Sequence, residues 1–308
     1  MQALISVIIC THNPRSDYLK RVLQALKDQT LSLEHWELLL IDNASDKLLA
    51  SEIDLSWHPN SRHIREDELG LTPARLRGIK EAIGEILVFV DDDNILDLDY
   101  LEVSLRISKD YPFVGAWGGQ IRPEFEIEPP DWTKPYWNFL AIRQFDCDQW
   151  SNSQEQNTTT PCGAGLCIRR FVAQKYSHIL HQDPKRMDLD RKGKSLVSCG
   201  DTDLALTSCD LGLGTGVFTS LRLTHLMPSQ RLQEDYLLNL LQGVSYSVTI
   251  LNALRGKLPI YPCRSQRIFQ KYMRWRMDLR SQRFYDAEQL GKQKAMKEIA
   301  SWRKVENL

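Results

Sequence analysis

Three adjacent carboxylates, Asp91, Asp92 and Asp93, stand directly after the apolar run ILVFV at 86–90. At such close spacing they repel one another unless water or a cation compensates them. Oxygen ligands of this kind suit Mg²⁺ or Mn²⁺. Taken alone, the cluster reads equally well as a solvated acidic turn. Two further polar groups follow apolar runs in the same way: Thr11-His12-Asn13 after LISVIIC, and Asp42-Asn43 after ELLLI. A second acidic pair, Asp201 and Asp203, precedes an apolar stretch, where Asp201 and Thr202 also suit a helix cap. His225 ends a strand-like run, and a lone histidine there is as readily a packed or surface residue as a ligand.

The elements around these groups explain why they should meet. Residues 4–10, 37–41 and 86–90 are short, β-branched apolar runs of the kind buried on both faces of a parallel sheet. Between them lie helical patterns. Leu19, Val22, Leu23 and Leu26 give one apolar face after Ser16, a candidate cap. Thr72, Pro73 and Gly84 punctuate a second helix over 72–84. Strand and helix alternate as in an α/β domain with a largely parallel sheet. Ligands of such sheets bind beyond the carboxyl ends of the strands. The three polar groups all sit at those ends and would converge on one crevice. Residues 113–165 read as loops and strands framing its other half, and VFTSLRLTHL as a final strand. From about 231 the pattern is helical.

Composition excludes several classes. The chain has 308 residues, a formal net charge of −1 and 42% hydrophobic residues, which speaks against a dedicated nucleic-acid binder. No apolar run approaches the roughly 20 residues that span a bilayer. The start, MQALISV, lacks a basic leader and reads as the entry to a first strand. Seven scattered cysteines, an odd number, suggest reduced thiols in a cytoplasmic chain. Between 264 and 304 twelve Lys/Arg face four acids. Arg274, Arg276, Arg280 and Arg283 interleave there with Met273, Trp275, Met277 and Phe284. Two readings stay open for this tail: a peripheral seat on an anionic membrane surface, at the inner face, or a solvated helical cap or oligomer contact.

The order SVIICTHNP, LLLIDNAS, GLTPARLRGI, ILVFVDDDN, PCGAGLCIRR, GDTDLAL and LTHLMPSQRL resembles the family 2 glycosyltransferases over roughly residues 4–235. The resemblance implies a GT-A nucleotide-diphospho-sugar transferase fold: a mostly parallel central sheet flanked by helices, as a domain over 1–230, with a C-terminal helical extension over 231–308. It implies inverting transfer of a sugar from a nucleotide-diphosphate donor, a UDP-sugar first, to a glycan or lipid-linked hydroxyl in polysaccharide biosynthesis. Donor contacts are expected from Thr11, Asn13, Arg15, Asp42, Arg75, Asp91, Asp92 and Gly163. Asp93, Asp91 and His225 are the expected ligands of Mn²⁺ or Mg²⁺. The family's Glu-Asp pair is matched only by Asp201, since Gly200 stands where Glu is usual. Asp201 is therefore the expected base, with Asp203 second. Trp132 and Trp137, in PPDWTKPYW, are the expected acceptor platforms. Two alternatives remain: a non-catalytic nucleotide-sugar or glycan-binding protein, which Gly200 would favour, and a sugar-1-phosphate nucleotidyltransferase, which the glycine-free THNPRS disfavours.

Overall fold

The computed structural model describes residues 4–193 and 195–306. The first three residues, part of the start read above as the entry to a first strand, lie outside them. The apolar runs become strands. β1 (Ile5–Thr11), β2 (Trp36–Asn43), β3 (Ser61–Glu66) and β4 (Ile86–Val90) pair in parallel in the order β3-β2-β1-β4. The parallel pairing is possible because α1 (Ser16–Lys27) and α2 (Leu71–Glu81) return the chain across the sheet. α1 buries Leu19, Val22, Leu23 and Leu26, the stripe that its spacing predicts, at roughly 1.5–3 kcal/mol per side chain.

Register decides what lies at the strand ends. Thr11 stands opposite Asp42, and Ile9 opposite Val90, so Asp91 leaves the sheet beside the end of β1. After the aspartates come β5 (Asn94–Leu96) and α3 (Tyr100–Asp110). The second half of the sheet holds β6 (Val114–Phe125), β7 (Gln149–Ser151), β8 (Cys167–Arg169) and β9 (Gly214–Met227). β8 is antiparallel to β4 and β6, and β9 runs parallel to β6 but antiparallel to β5 and β7. Among the described residues four strand pairs are parallel and four antiparallel, but the parallel ladders are the long ones and the antiparallel ones short, so the α/β fold with a mostly parallel central sheet is as expected. Two apolar clusters cover its faces, one against α1 and α3, the other against α2, α4 (Arg170–Gln182) and α5 (Gly200–Asp210).

Two local expectations are corrected. Arg15, not Ser16, stands at the cap of α1. Thr72 lies inside α2, and its hydroxyl donates to Asp190 instead of capping. β3 is an extra strand, polar in sequence because only Ile64 of its six residues is buried.

The described residues close with three helices, α6 (Glu234–Leu254), α7 (Arg264–Trp275) and α8 (Leu279–Glu306). By length and composition α6 is apolar enough to cross a membrane, although residues such as Asn239 and Gln242 break its apolar run. Here it packs along α8 and brings Leu240, Val244 and Val248 to the cleft described next.

Candidate active site

A cleft of about 600 Å³ opens beyond the carboxyl ends of β1, β2 and β4, a volume in the usual range for small-molecule sites. Of the residues singled out from sequence, it gathers Thr11, Arg75, Asp91, Asp92, Asp93, Gly163, Asp201 and His225.

The three aspartates differ in environment. Asp92 accepts a hydrogen bond from the Thr11 hydroxyl. Burial and the neighbouring Asp93 charge push its carboxyl up to about 7. Burial also raises Asp91, with Asp93 adding to it. Asp93 goes the other way. Burial alone would raise it, but His225 and Arg231 overcome that and hold it ionised, below the usual carboxylate range. The fold explains the contact: Asn94 of β5 pairs with His225 of β9, so the histidine lies beside the residue before Asn94. His225 Nε2 is 3.3 Å from Asp93 Oδ2.

Arg231 closes this group. The chain turns back after Pro228 through a short 3₁₀ turn, Ser229–Leu232. One guanidinium nitrogen of Arg231 donates to Asp93 at 2.8 Å, and another reaches His225 Nε2 at 2.9 Å. His225 Nδ1, on the far side of the ring, is buried without a hydrogen-bond partner.

The expected divalent cation can be tested against these atoms. Among the described residues no three His, Cys, Asp or Glu side chains converge as a ready-made metal site. Asp93 and His225 do present an oxygen and a nitrogen toward one point, where the third partner is the Arg231 guanidinium. The pair fits a cation that completes its shell with water and phosphate oxygens, as Mg²⁺ commonly does, provided Arg231 withdraws.

Arg75, 5% exposed, also lines the cleft. Burial opposes its charge, yet Asp190, Asp201 and Asp91 together raise its basicity. It donates to Asp190 at 2.7 Å. Asp190 also takes the Thr72 hydroxyl and the Gly200 N–H. A Cβ at position 200 would stand 2.1 Å from Asp190 Oδ2. No side chain fits there while Asp190 holds this position, which gives a steric reason for Gly200. Asp201 follows: Oδ2 accepts the Gly163 N–H at 2.6 Å and Oδ1 the Thr202 N–H at 2.7 Å. A Cβ at position 163 would stand 2.7 Å from Arg75 Nη2 and would push that guanidinium from its place.

Several predicted residues stand elsewhere. Asp203 is fully buried and bound by Arg186 at 2.7 and 2.8 Å and by Arg255 at 2.8 Å, so it cannot reach an acceptor hydroxyl in the cleft. Asp42 faces inward. It accepts from the Ser45 and Leu49 N–H groups and from Arg65, and these bonds outweigh burial and lower its pKa. Its neighbour Asn43 lines the cleft instead and fastens the Glu68 carbonyl and the Gly70 N–H. Asn13 bonds to Ser45, Asp46 and His12, and Arg15 pairs with Asp17 and Glu126; both lie outside the cleft lining. Trp132 packs against Phe284 under the Arg280 guanidinium, and Trp137 against Phe125. The loop reaches the cleft through Asn138, Phe139 and Leu140 instead.

Arg231 and Asp190 escaped the sequence reading. Arg231 lies six residues after His225 within LTHLMPSQRL, a motif that drew attention only to its histidine. Asp190 lies in MDLDRKGK, which carries no recognisable pattern.

Residues 6–176, more than half of the chain, match the family Glycosyl transferase family 2. The chain is 30% identical over 173 residues to Glycosyltransferase AglE of Haloferax volcanii, covering 55% of this chain and 52% of AglE. It spans between 30% and 52% of the length of the curated relatives it matches. Its fold is shared with the crystal structure of S. aureus TarS 1-349, with TM-score 0.51, 17% identity, and coverage of 82% of this chain and 66% of that one. The same protein in complex with UDP-GlcNAc gives TM-score 0.52 at 12% identity, covering 93% and 79%.

Proposed function

This chain belongs to glycosyl transferase family 2, and from that premise we propose that it transfers a sugar, with inversion, from a UDP-sugar to a hydroxyl of a glycan or lipid-linked acceptor. The observation that carries the reading is the meeting of Asp91, Asp93, His225, Arg231, Arg75 and Asp201 in one cleft at the strand ends. A solved protein of the same fold, S. aureus TarS, binds UDP-GlcNAc, which makes uridine the first nucleotide to try.

Each role follows from charge and position. The departing diphosphate develops negative charge, and Arg75, fixed by Asp190, offers a cation that burial keeps free of competing water. Arg231 offers a second. A divalent cation held by Asp93 and His225, with Asp91 nearby, would when bound supply further charge compensation at the diphosphate. Asp201 is the base. Its two backbone N–H partners fix the carboxylate's orientation and leave lone pairs for an acceptor hydroxyl. Gly200, the feature that favoured a non-catalytic protein, faces the Asp190 carboxylate instead of an empty position. In this reading residues 1–230 together with Arg231 carry the chemistry, and α6 completes the cleft wall.

Calorimetric titration with UDP, GDP and CMP, each with and without Mn²⁺, tests the proposal. UDP binding that tightens with Mn²⁺ is expected. Binding of GDP or CMP in preference to UDP would overturn the donor assignment, and UDP binding indifferent to Mn²⁺ would overturn the metal assignment.

A further inference from the structure

None of the twelve residues of α7 is buried, yet five of them are large and apolar. Ile268 and Phe269 are each 62% exposed and Trp275 75%. At 100° per residue, Trp275, Ile268, Tyr272, Phe269 and Met273 fall within one arc of roughly 160°, and Arg264, Lys271, Arg267 and Arg274 occupy the adjoining arc. The flanks extend the apolar side with Ile260, 90% exposed, and Leu279, 81% exposed. From Lys257 to Met277 the chain carries six Lys/Arg and no Asp or Glu.

An exposed apolar patch beside cations needs a partner that offers both hydrocarbon and negative charge. A bilayer with anionic headgroups offers both. Tyr272 and Trp275 are of the type that settles at the boundary between water and acyl chains. Twelve helical residues reach about 18 Å, too short to cross the roughly 30 Å hydrocarbon layer, so the helix must lie in its plane.

We propose that α7 with its flanks is a membrane-docking element, seated in the plane of an anionic bilayer with its apolar arc among the acyl chains and Arg264, Arg267 and Lys271 at the phosphates, while Arg274 stays paired with Asp286. This rests on the surface of α7 and is independent of the catalytic reading. If it holds, acceptors carried on lipid are the ones brought nearest to the protein.

The test is co-sedimentation of the full chain with vesicles of phosphatidylcholine alone and of phosphatidylcholine mixed equally with phosphatidylglycerol. Binding is expected only to the anionic vesicles, with loss in high salt. The double substitution Phe269→Glu, Trp275→Glu should weaken it at least about tenfold, as should Arg267→Glu, Lys271→Glu, with the melting temperature unchanged. Equal recovery of parent and variants would overturn the proposal. So would absence of vesicle binding together with a dimer, seen by light scattering, that the Phe269→Glu, Trp275→Glu pair dissolves; the face would then be a contact between copies.

Discussion

Replacing Asp203 by Asn should unfold the protein more readily without touching its chemistry. The side chain is 0% exposed and faces Arg186 and Arg255, which are themselves largely buried. Asn has nearly the same shape, so what is lost is the charge that compensates two guanidinium groups. Removing one partner of a buried ion pair costs about 3–5 kcal/mol. Arg186 keeps Asp183 at 3.5 Å and Arg255 keeps Asp210 at 3.1 Å, which places the loss near the lower end, about 3 kcal/mol. At roughly 2–4 °C per kcal/mol for a chain somewhat smaller than this one, the melting temperature should fall by about 6–12 °C. Thermal and urea unfolding followed by circular dichroism would read that fall. Turnover of donor and acceptor, measured well below the new midpoint, should stay within about twofold. A loss of turnover of a hundredfold or more with an unmoved midpoint would refute the structural role and return Asp203 to the list of candidate bases.

The same preparation serves three further tests. Asp201→Asn should lower turnover by about 10²–10⁴ while donor affinity changes only a few-fold, and transfer at the parent rate would exclude Asp201 as the base. Arg231→Gln removes the cation that sits against Asp93 and His225, so Mn²⁺ binding without nucleotide, followed by electron paramagnetic resonance, should tighten at least about tenfold; weaker binding would mean that Arg231 does not compete for that position. His58 is 2% exposed, lies against Trp36 and has its pKa pushed down to about 4 by burial. Its neutral form is therefore favoured in the folded chain. That stability is present above about pH 6.5 and is lost as pH falls toward 4, up to about 2–3 kcal/mol. Urea midpoints across this range should lose that slope in His58→Asn, whose amide oxygen can still accept from the Asn60 N–H, and an unchanged slope would assign it to other groups.

The crevice was legible because parallel strands buried on both faces announce themselves as unbroken apolar runs, and whatever follows such a run sits at its carboxyl end. That located Thr11 and Asp91 to Asp93 without any knowledge of side-chain direction. Direction was the part that did not come through. Asp42 ends a strand as predicted, but Arg65, twenty-three positions later on β3, turns it away from the cleft. β3 itself is polar in sequence and gave no signal. Asp203 differs from Asp201 by two positions, which on a helix means opposite sides, so one faces the cleft and the other meets Arg186 and Arg255. Trp132 and Trp137 lie in a Pro-rich loop with no periodicity to orient them, and both turn toward protein.

Gly200 and Asp190 form one choice made at two positions. Any side chain at 200 would collide with the Asp190 carboxylate, and shortening Asp190 alone would leave Arg75 without its partner and the space at 200 open. Homologous enzymes could therefore drift from one arrangement to the other only by paired replacement, each single step being disfavoured on its own. An engineer grafting Glu at 200 should change 190 in the same stroke, and a statistical survey of relatives should find these two columns varying together, though ten residues separate them.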